Sequence, residues 1–530
     1  MTSYCSIVYL LFFLPGVMLL YSVTPKRYRW MSLLAANYIF FWYFSGKLLA
    51  FLLFSTLSVH HFGIWMSKLQ NERKIQCTGI EKEEKKAVKA KFQKKQANVI
   101  LLAVFIHIGI LLILKYTPFF GTNLNMLLAK CGFAYQFTIP RFVLPLGISF
   151  YTMQALSYLF DVYREKLPAD ENLGRLALYM SFFPQIMEGP ICRYSDTAEQ
   201  LWQGERITYS NLTFGIQRIL FGLMKKIVVA DRLNLLIKTV FNDYDKYDGG
   251  VIAVAMVCYT CQLYMEFSGT MDVVIGSGEI FGIRMPENFR QPFFSKSISD
   301  FWTRWHITLG AWFRDYIFYP LSMSKPLKKL TLSARKRLGN HFGPLIAGTV
   351  ALFCVWFCNG LWHGAAWSYI FFGMYHFTLI LIGNIFEPAI QWTAKKLHIN
   401  RNNWLYRILQ IMRTVILVNI GELFFRANGL RAGFAMFRKM ICNFTFESVK
   451  SQTVFQIGMD KRDFLIAAIT VFIVLIISLL KENKVEIRSE LSKRNTAVRW
   501  TAYLALILYI VIFGAYGTDY VPIDPIYANF

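Results

Sequence analysis

CSIVYLLFFLPGVMLLYSV, residues 5–23, carries no charged side chain over nineteen positions. About 20 apolar residues in a helix cross the hydrocarbon of a bilayer, so the stretch reads as a membrane span. The first sixteen residues, MTSYCSIVYLLFFLPG, hold no basic flank and no small-residue cleavage site, which predicts a retained first span and not a removed signal peptide. Apolar segments of similar character recur near 30–45, 48–66, 97–115, 142–160, 176–191, 211–230, 250–266, 343–358, 366–386, 405–425, 463–480 and 500–515. With 55% of its 530 residues hydrophobic and 17% aromatic, the chain has too little polar surface for a soluble protein. It reads as an all-α, polytopic integral membrane protein with roughly a dozen transmembrane helices. Several segments are short or interrupted by Gly and Pro, and backbone broken at membrane depth survives only where protein or a water-filled cavity satisfies it. Re-entrant pieces are therefore expected.

The 57 Lys and Arg against 32 Asp and Glu leave a net charge of +25, which in a soluble chain would raise nucleic acid as a partner. The position of the charge argues for membrane lipids and no nucleic acid. Residues 67–96 hold ten Lys/Arg and four acids, 322–340 hold six and none, and 481–499 hold six and three. Basic loops of this kind stay on the cytoplasmic side. With the N-terminus outside, Lys26, Arg27 and Arg29 fall in the cytoplasm, two spans follow, and the 67–96 segment returns to the same side.

EKEEKKAVKAKFQKKQ (81–96) has acids leading and lysines trailing, which predicts an amphipathic helix at the cytoplasmic interface. No long polar linker, proline-rich tract or repeat divides the chain, so residues 1–530 read as a single membrane domain. The nine cysteines lie mostly in apolar segments, and the C-x-x-C of Cys258 and Cys261 has no second pair. Neither a disulfide framework nor a metal site is expected.

The least lipid-like region is RMPENFRQPFFSKSISDFWTRWHITLGAWFRDYIFYPL, residues 284–321. Irregular backbone with Pro and Asn precedes a helix that Ser299 caps and that runs through Trp302, Trp305, Trp312 and Tyr316 toward Pro320. Asp300 and Arg304 stand at i,i+4, and Asp315 returns to nearly the same face. Charge inside so aromatic a helix suits a protein-lined cavity better than lipid.

Of the eight histidines, His60, His61, His341 and His398 fall near loop ends, and His107 and His376 lie in apolar spans as packing groups. His306 and His363 remain. His363 sits in CNGLWHGAAW (358–367), where Gly360 and Gly364 form G-x-x-x-G and let another backbone approach. Asn359, one turn before His363, is placed to hold one ring nitrogen and so the tautomer. A buried imidazole is neutral at pH 7. With no carboxylate pair, P-loop or serine elbow in the sequence, a membrane histidine fits deprotonation of a hydroxyl that attacks an activated ester or thioester. A structural histidine bonded across helices is the competing reading.

The chain resembles the membrane-bound O-acyltransferase family, in its bacterial branch of alginate O-acetyltransferase-like membrane subunits. The blocks that carry the resemblance are LPLGISFYTMQALSYLFDVYR (144–164), YMSFFPQIMEGPICRY (179–194), GLMKKIVVADRL (222–233), YMEFSGTMDVVIGSGEIFGIRMPENFRQPF (264–293), SISDFWTRWHITLGAWFRDYIFYPL (297–321) and GLWHGAAWSYIFFGMYH (360–376). They make a motif core over 144–376. Three positions depart from the family pattern: Glu188, the run Phe267 to Asp272 that reads FSGTMD, and Thr303 between Trp302 and Arg304.

The resemblance implies helices and re-entrant segments around a central funnel. It makes His363 the essential histidine and His306 a second one, with Asn359, Trp302, Trp305, Arg304, Trp362, Glu188 and Asn288 as channel or substrate-lining candidates. The implied reaction moves an acyl group, most simply acetyl, from a cytosolic thioester such as acetyl-CoA to hydroxyls of an exported cell-surface polysaccharide, in a bacterial cytoplasmic membrane. Transfer is direct or passes through an extracytoplasmic acyltransferase or esterase-like partner, with no tightly bound cofactor. The alternatives are a D-alanyl transferase for teichoic acids fed by a carrier-protein thioester, and a transporter or flippase. Asn288, Gly189, Pro190, Gly269 and Pro292 also have a shape-determining reading, and Lys225, Lys226, Asp231 and Arg232 a structural charge-network reading.

Overall fold

The computed structural model describes residues 3–445, 447–516, 520 and 523. Among them the chain is helical with no strand beyond one isolated bridge, Phe289 to Trp305. Eight helical stretches are long and apolar enough to cross a membrane: Lys26–Gln76, Lys82–Lys130, Gly249–Ile280, Lys325–His363, Trp367–Lys396, Trp404–Arg426, Lys461–Glu482 and Thr496–Phe513. The first two run to 51 and 49 residues and absorb three of the expected spans. The expected interfacial helix at 81–96 is no separate element. It is the polar start of Lys82–Leu111, because strong helix formers lead without a break into the apolar run.

The described residues pack as two compact units, those of 3–216 with 274–286, and those of 217–273 with 287–523. In the first, the segment expected as a span at 176–191 is broken. Leu173–Ser181 and Phe183–Ile186 are short helices meeting at Phe182, and residues 176–192 are all buried. Pro184 stops the first helix from continuing. Buried Asn37 bridges the break, donating from Nδ2 to the Ser181 hydroxyl at 3.2 Å and accepting the Phe183 N–H at 2.9 Å. Tyr4 donates to the Phe183 carbonyl at 2.7 Å. Side chains thus supply the partners that lipid cannot. Gly147, at φ 64°, lies where a Cβ would meet the Ile186 carbonyl oxygen at 1.7 Å, so only glycine fits.

In this unit Lys26 pairs with Glu205 at 2.7 Å and Arg73 with Glu165 at 2.6 Å. Arg175 joins Asp170 and Glu199.

In the second unit the helix expected from Ser299 to Pro320 is interrupted. Ser297, not Ser299, caps Ile298–Arg304 by accepting the Asp300 N–H. Trp305 is extended, His306 has φ 48°, and Ile307–Phe313 begins anew. The cause is a neighbouring strand-like segment: the Arg290 N–H donates to the Arg304 carbonyl at 2.9 Å and the Ile307 N–H to the Asn288 carbonyl at 3.0 Å. The i,i+4 pair of Asp300 and Arg304 forms at 2.9 Å, but the break takes Asp315 off that face, and it pairs with Arg314 instead.

Lys325–His363 and Trp367–Lys396 pack through glycine. A Cβ on Gly360 would meet the Tyr369 carbonyl oxygen at 2.6 Å, and one on Gly373 the Trp356 carbonyl oxygen at 2.4 Å. Gly364 ends the helix and faces the Tyr369 ring. The close approach expected of G-x-x-x-G is therefore made by Gly360 with Gly373.

Candidate active site

His306 is buried, and its tautomer is fixed. Asn288 Oδ1 accepts from the Thr308 N–H at 3.1 Å and the Thr308 hydroxyl at 3.0 Å, so the oxygen end of this amide is an acceptor, and His306 Nδ1 stands 3.2 Å from the same oxygen. An acceptor requires a donor opposite, so Nδ1 carries the proton and Nε2 keeps its lone pair. Burial pulls the imidazole well below its ordinary pKa, and His363 adds to the effect by repelling a second positive charge. His306 is thus a neutral, base-competent imidazole.

His363 ends the helix Lys325–His363 and is buried too. Trp362 lies beside both histidines, its ring 5.6 Å from His306 and 5.1 Å from His363. Phe425 packs edge-on to His363 at 5.2 Å. Asn359 makes no side-chain hydrogen bond to His363; its Oδ1 has no hydrogen-bond partner among the described residues. The amide expected to hold the tautomer of His363 therefore does not do so, and the amide that does hold a histidine is Asn288 on His306.

A cavity of about 300 Å³ opens beside His306, with Trp302, Trp305, Trp356 and Asn359 among its walls. Three expected lining residues, Trp302, Trp305 and Asn359, meet there. Arg304 does not line it; Asp300 and Glu482 hold its guanidinium, each at 2.9 Å. Asn288 instead borders a smaller polar cavity of about 50 Å³, which Arg218, Lys225, Asp272 and Lys481 also line. Glu188 is buried in the first unit.

Lys225 and Arg218 share Asp272, at 2.6 and 3.0 Å. Lys226 pairs with Asp231 at 2.8 Å and Arg232 with Asp463. The charge-network reading of these residues thus holds, with Asp272 and Asp463 as partners not foreseen. His376, read as a packing group, is enclosed by Trp302, Phe372 and Trp356 at 4.9, 4.6 and 5.6 Å. No group of three or more metal-ligating side chains occurs among the described residues.

A model of the membrane-bound O-acyltransferase family matches residues 167–334, which hold His306, Asn288 and the broken helix. The chain is 31% identical to a probable alginate O-acetylase of Azotobacter vinelandii over 437 residues, 82% of this chain and 77% of the relative. This chain belongs to the membrane-bound O-acyltransferase family. It is an acyltransferase and a multi-pass membrane protein. Among further relatives, this acyltransferase is 29% identical to a peptidoglycan O-acetyltransferase of Helicobacter pylori over 368 residues, 64% of each chain. It is 32% identical to a teichoic acid D-alanyltransferase of Bacillus subtilis over 282 residues, 52% of this chain and 67% of the relative.

Proposed function

We infer that the protein is an O-acetyltransferase of the bacterial cytoplasmic membrane, its basic loops cytoplasmic. It draws acetyl from a cytosolic thioester, acetyl-CoA in the simplest case, and delivers it to hydroxyls of an exported cell-surface polysaccharide. Delivery is direct or passes through an extracytoplasmic esterase-like partner. The observation that carries this reading is the pair of buried histidines flanking Trp362, one of them a fixed neutral base. The alginate and peptidoglycan O-acetylating relatives supply the acyl group and acceptor class.

In this mechanism His363 takes the proton of the acceptor hydroxyl as its oxygen attacks the thioester carbonyl carbon. The tetrahedral oxyanion collapses, the carbon–sulfur bond breaks, and the leaving thiolate takes the proton back from the imidazolium. His306, held by Asn288, assists as the second imidazole beside Trp362. Proton transfer of this kind contributes about 10²- to 10⁴-fold, and alignment of donor and acceptor supplies much of the rest.

The D-alanyl reading is favoured only by the shorter match to the teichoic acid enzymes, and none of the relatives named above is a transporter. Membranes from cells expressing the chain, given acetyl-labelled coenzyme A thioester and no carrier protein, should place label in the polysaccharide fraction. Label that requires an aminoacylated carrier would establish D-alanylation. His363→Ala membranes that label at the wild-type rate would remove the acyl-transfer site assigned here.

A further inference from the structure

The first apolar helix ends at Val23 and the next begins at Arg29. Lys26–Tyr28, the single turn between them, therefore lies at the depth where hydrocarbon gives way to headgroups. That depth is the same whichever side of the bilayer the turn faces. A cleft of about 620 Å³ opens here, all of its lining in the first unit. Its size falls within the range of about 300–1,000 Å³ usual for small-molecule sites. One wall is an indole pair, Trp30 and Trp202, with ring centroids 4.6 Å apart. Gly174 admits Trp30, since a Cβ there would stand 2.9 Å from its ring, and the Arg175 guanidinium lies 5.9 Å from the ring centre of Trp202. Both indoles are thus held by the fold as well as by each other.

Lys26 and Arg27 supply the charge of the lining, and no acid is part of it. The two cations differ. Lys26 is tied to Glu205 at 2.7 Å, whereas Arg27 is exposed and has no carboxylate partner among the described residues. The helix Arg29–Ser45 starts at the cleft without a side-chain cap, and its positive end adds to the field. This lining suits a phosphate, which an arginine fork grips with two parallel hydrogen bonds. A zwitterionic headgroup fits less well, because its amine meets no carboxylate there. The rim then separates lipid from free phosphate. Tyr28 and Met31, both in the lining, are 47% and 48% exposed, and Val23 just before the turn is 70% exposed. A phosphate that carries acyl chains covers this apolar surface, and a free one leaves it bare.

We propose that this cleft binds the phosphodiester headgroup of an anionic phospholipid such as phosphatidylglycerol. Arg27 is the principal partner of the phosphate, and the Trp30–Trp202 pair packs beside the glycerol backbone at the level where interfacial tryptophans reside. Glu205 limits the affinity by engaging Lys26. Binding here is separate from acyl transfer and stands or falls without it.

The test uses the purified full-length chain in a neutral detergent. Phosphatidylglycerol, phosphatidylethanolamine or soluble glycerol 3-phosphate is titrated in, and bound molecules are counted by native mass spectrometry. Phosphatidylglycerol should bind more tightly than phosphatidylethanolamine. Arg27→Gln should weaken it about fivefold, the scale of one cation at a lipid surface. Glu205→Gln, which releases Lys26, should tighten it. Opposite signs from two neutral replacements on exposed side chains separate a binding site from damage to the fold. Equal affinity for the two lipids overturns the proposal, as does Arg27→Gln binding that matches the wild type. An equal loss in Lys86→Gln, in the exposed start of Lys82–Leu111, also overturns it by showing that binding follows net charge alone. Displacement of the lipid by glycerol 3-phosphate at comparable concentration overturns it in favour of a free phosphate ester.

Discussion

Asn288 Oδ1 stands 3.2 Å from His306 Nδ1 while accepting two further hydrogen bonds from Thr308, and this single oxygen decides which nitrogen of the imidazole carries the proton. Asn288→Leu should lower kcat for acetyl transfer by about 10- to 100-fold, the scale seen when an orienting partner of a functional histidine is lost, with KM little changed. Asn288→Asp keeps an acceptor but adds negative charge, which favours the imidazolium. The acid limb of its pH–rate profile should move to higher pH. An unmoved limb would mean that His306 does not titrate in the reaction.

His306→Asn is the informative replacement at that position, because asparagine tolerates the left-handed backbone at φ 48° better than most residues. It should fold, measured by melting temperature in detergent, and lose acetyl transfer by about 10²-fold or more. His363→Ala should lose it completely within detection.

The same histidine makes a prediction about pH and stability. Burial holds the His306 pKa below its unfolded value. Above the unfolded pKa both states are neutral and the group is silent; as pH falls below it, the unfolded chain takes a proton that the folded chain refuses. Stability should therefore decline as pH drops from about 6.5. Thermal melts at pH 7 and pH 5, compared with His306→Gln, check it: the decline should be shallower in the variant.

Asp272 neutralises Lys225 and Arg218 together in a poorly solvated place. Asp272→Asn should cost about 3–5 kcal/mol, the usual penalty for stranding a buried charge, read as a lowered melting temperature. Glu287, half-exposed at 51%, meets the same Arg218. Glu287→Gln should cost no more than about 1 kcal/mol.

Gly373→Val places two extra methyl groups and a Cβ where Trp356 O already sits at 2.4 Å from the Cβ position. Overpacking of this kind costs about 1–3 kcal/mol or more. Because Trp356 also walls the cavity, activity should fall along with thermal stability. A variant that melts earlier but transfers normally would separate helix packing from the site.

Hydropathy made most of the spans legible, since crossing hydrocarbon is a demand on length and composition that a segment meets by itself, but it also read 176–191 as a span where the chain is broken. Asp300 with Arg304, and the value of Gly360, were legible because helical spacing is local. What stayed hidden was set by pairing across the fold. Nothing in FWTRWHITLG announces a helix break; it arises because residues 288–290 lie alongside and take over the backbone hydrogen bonds of 304 and 307. The role of Asn288 was likewise invisible, eighteen residues from the ring it fixes, and Asn359 looked suited to a task that it does not perform. Phe425 carried no signal, since only the packing of Trp404–Arg426 near the end of Lys325–His363 brings it to His363.

The backbone clip between 288–290 and 304–307 also makes chain length a determinant of activity. Adding or deleting one residue between Asn288 and His306 would keep every side chain of the site in the protein yet present a different one to the Thr308 and Asn288 pair. In the polar start of Lys82–Leu111, a whole extra turn would merely lengthen a solvated rod. Tolerance of insertions should therefore collapse sharply across the span from 288 to 307, which a scan of single-residue insertions would draw as a trough.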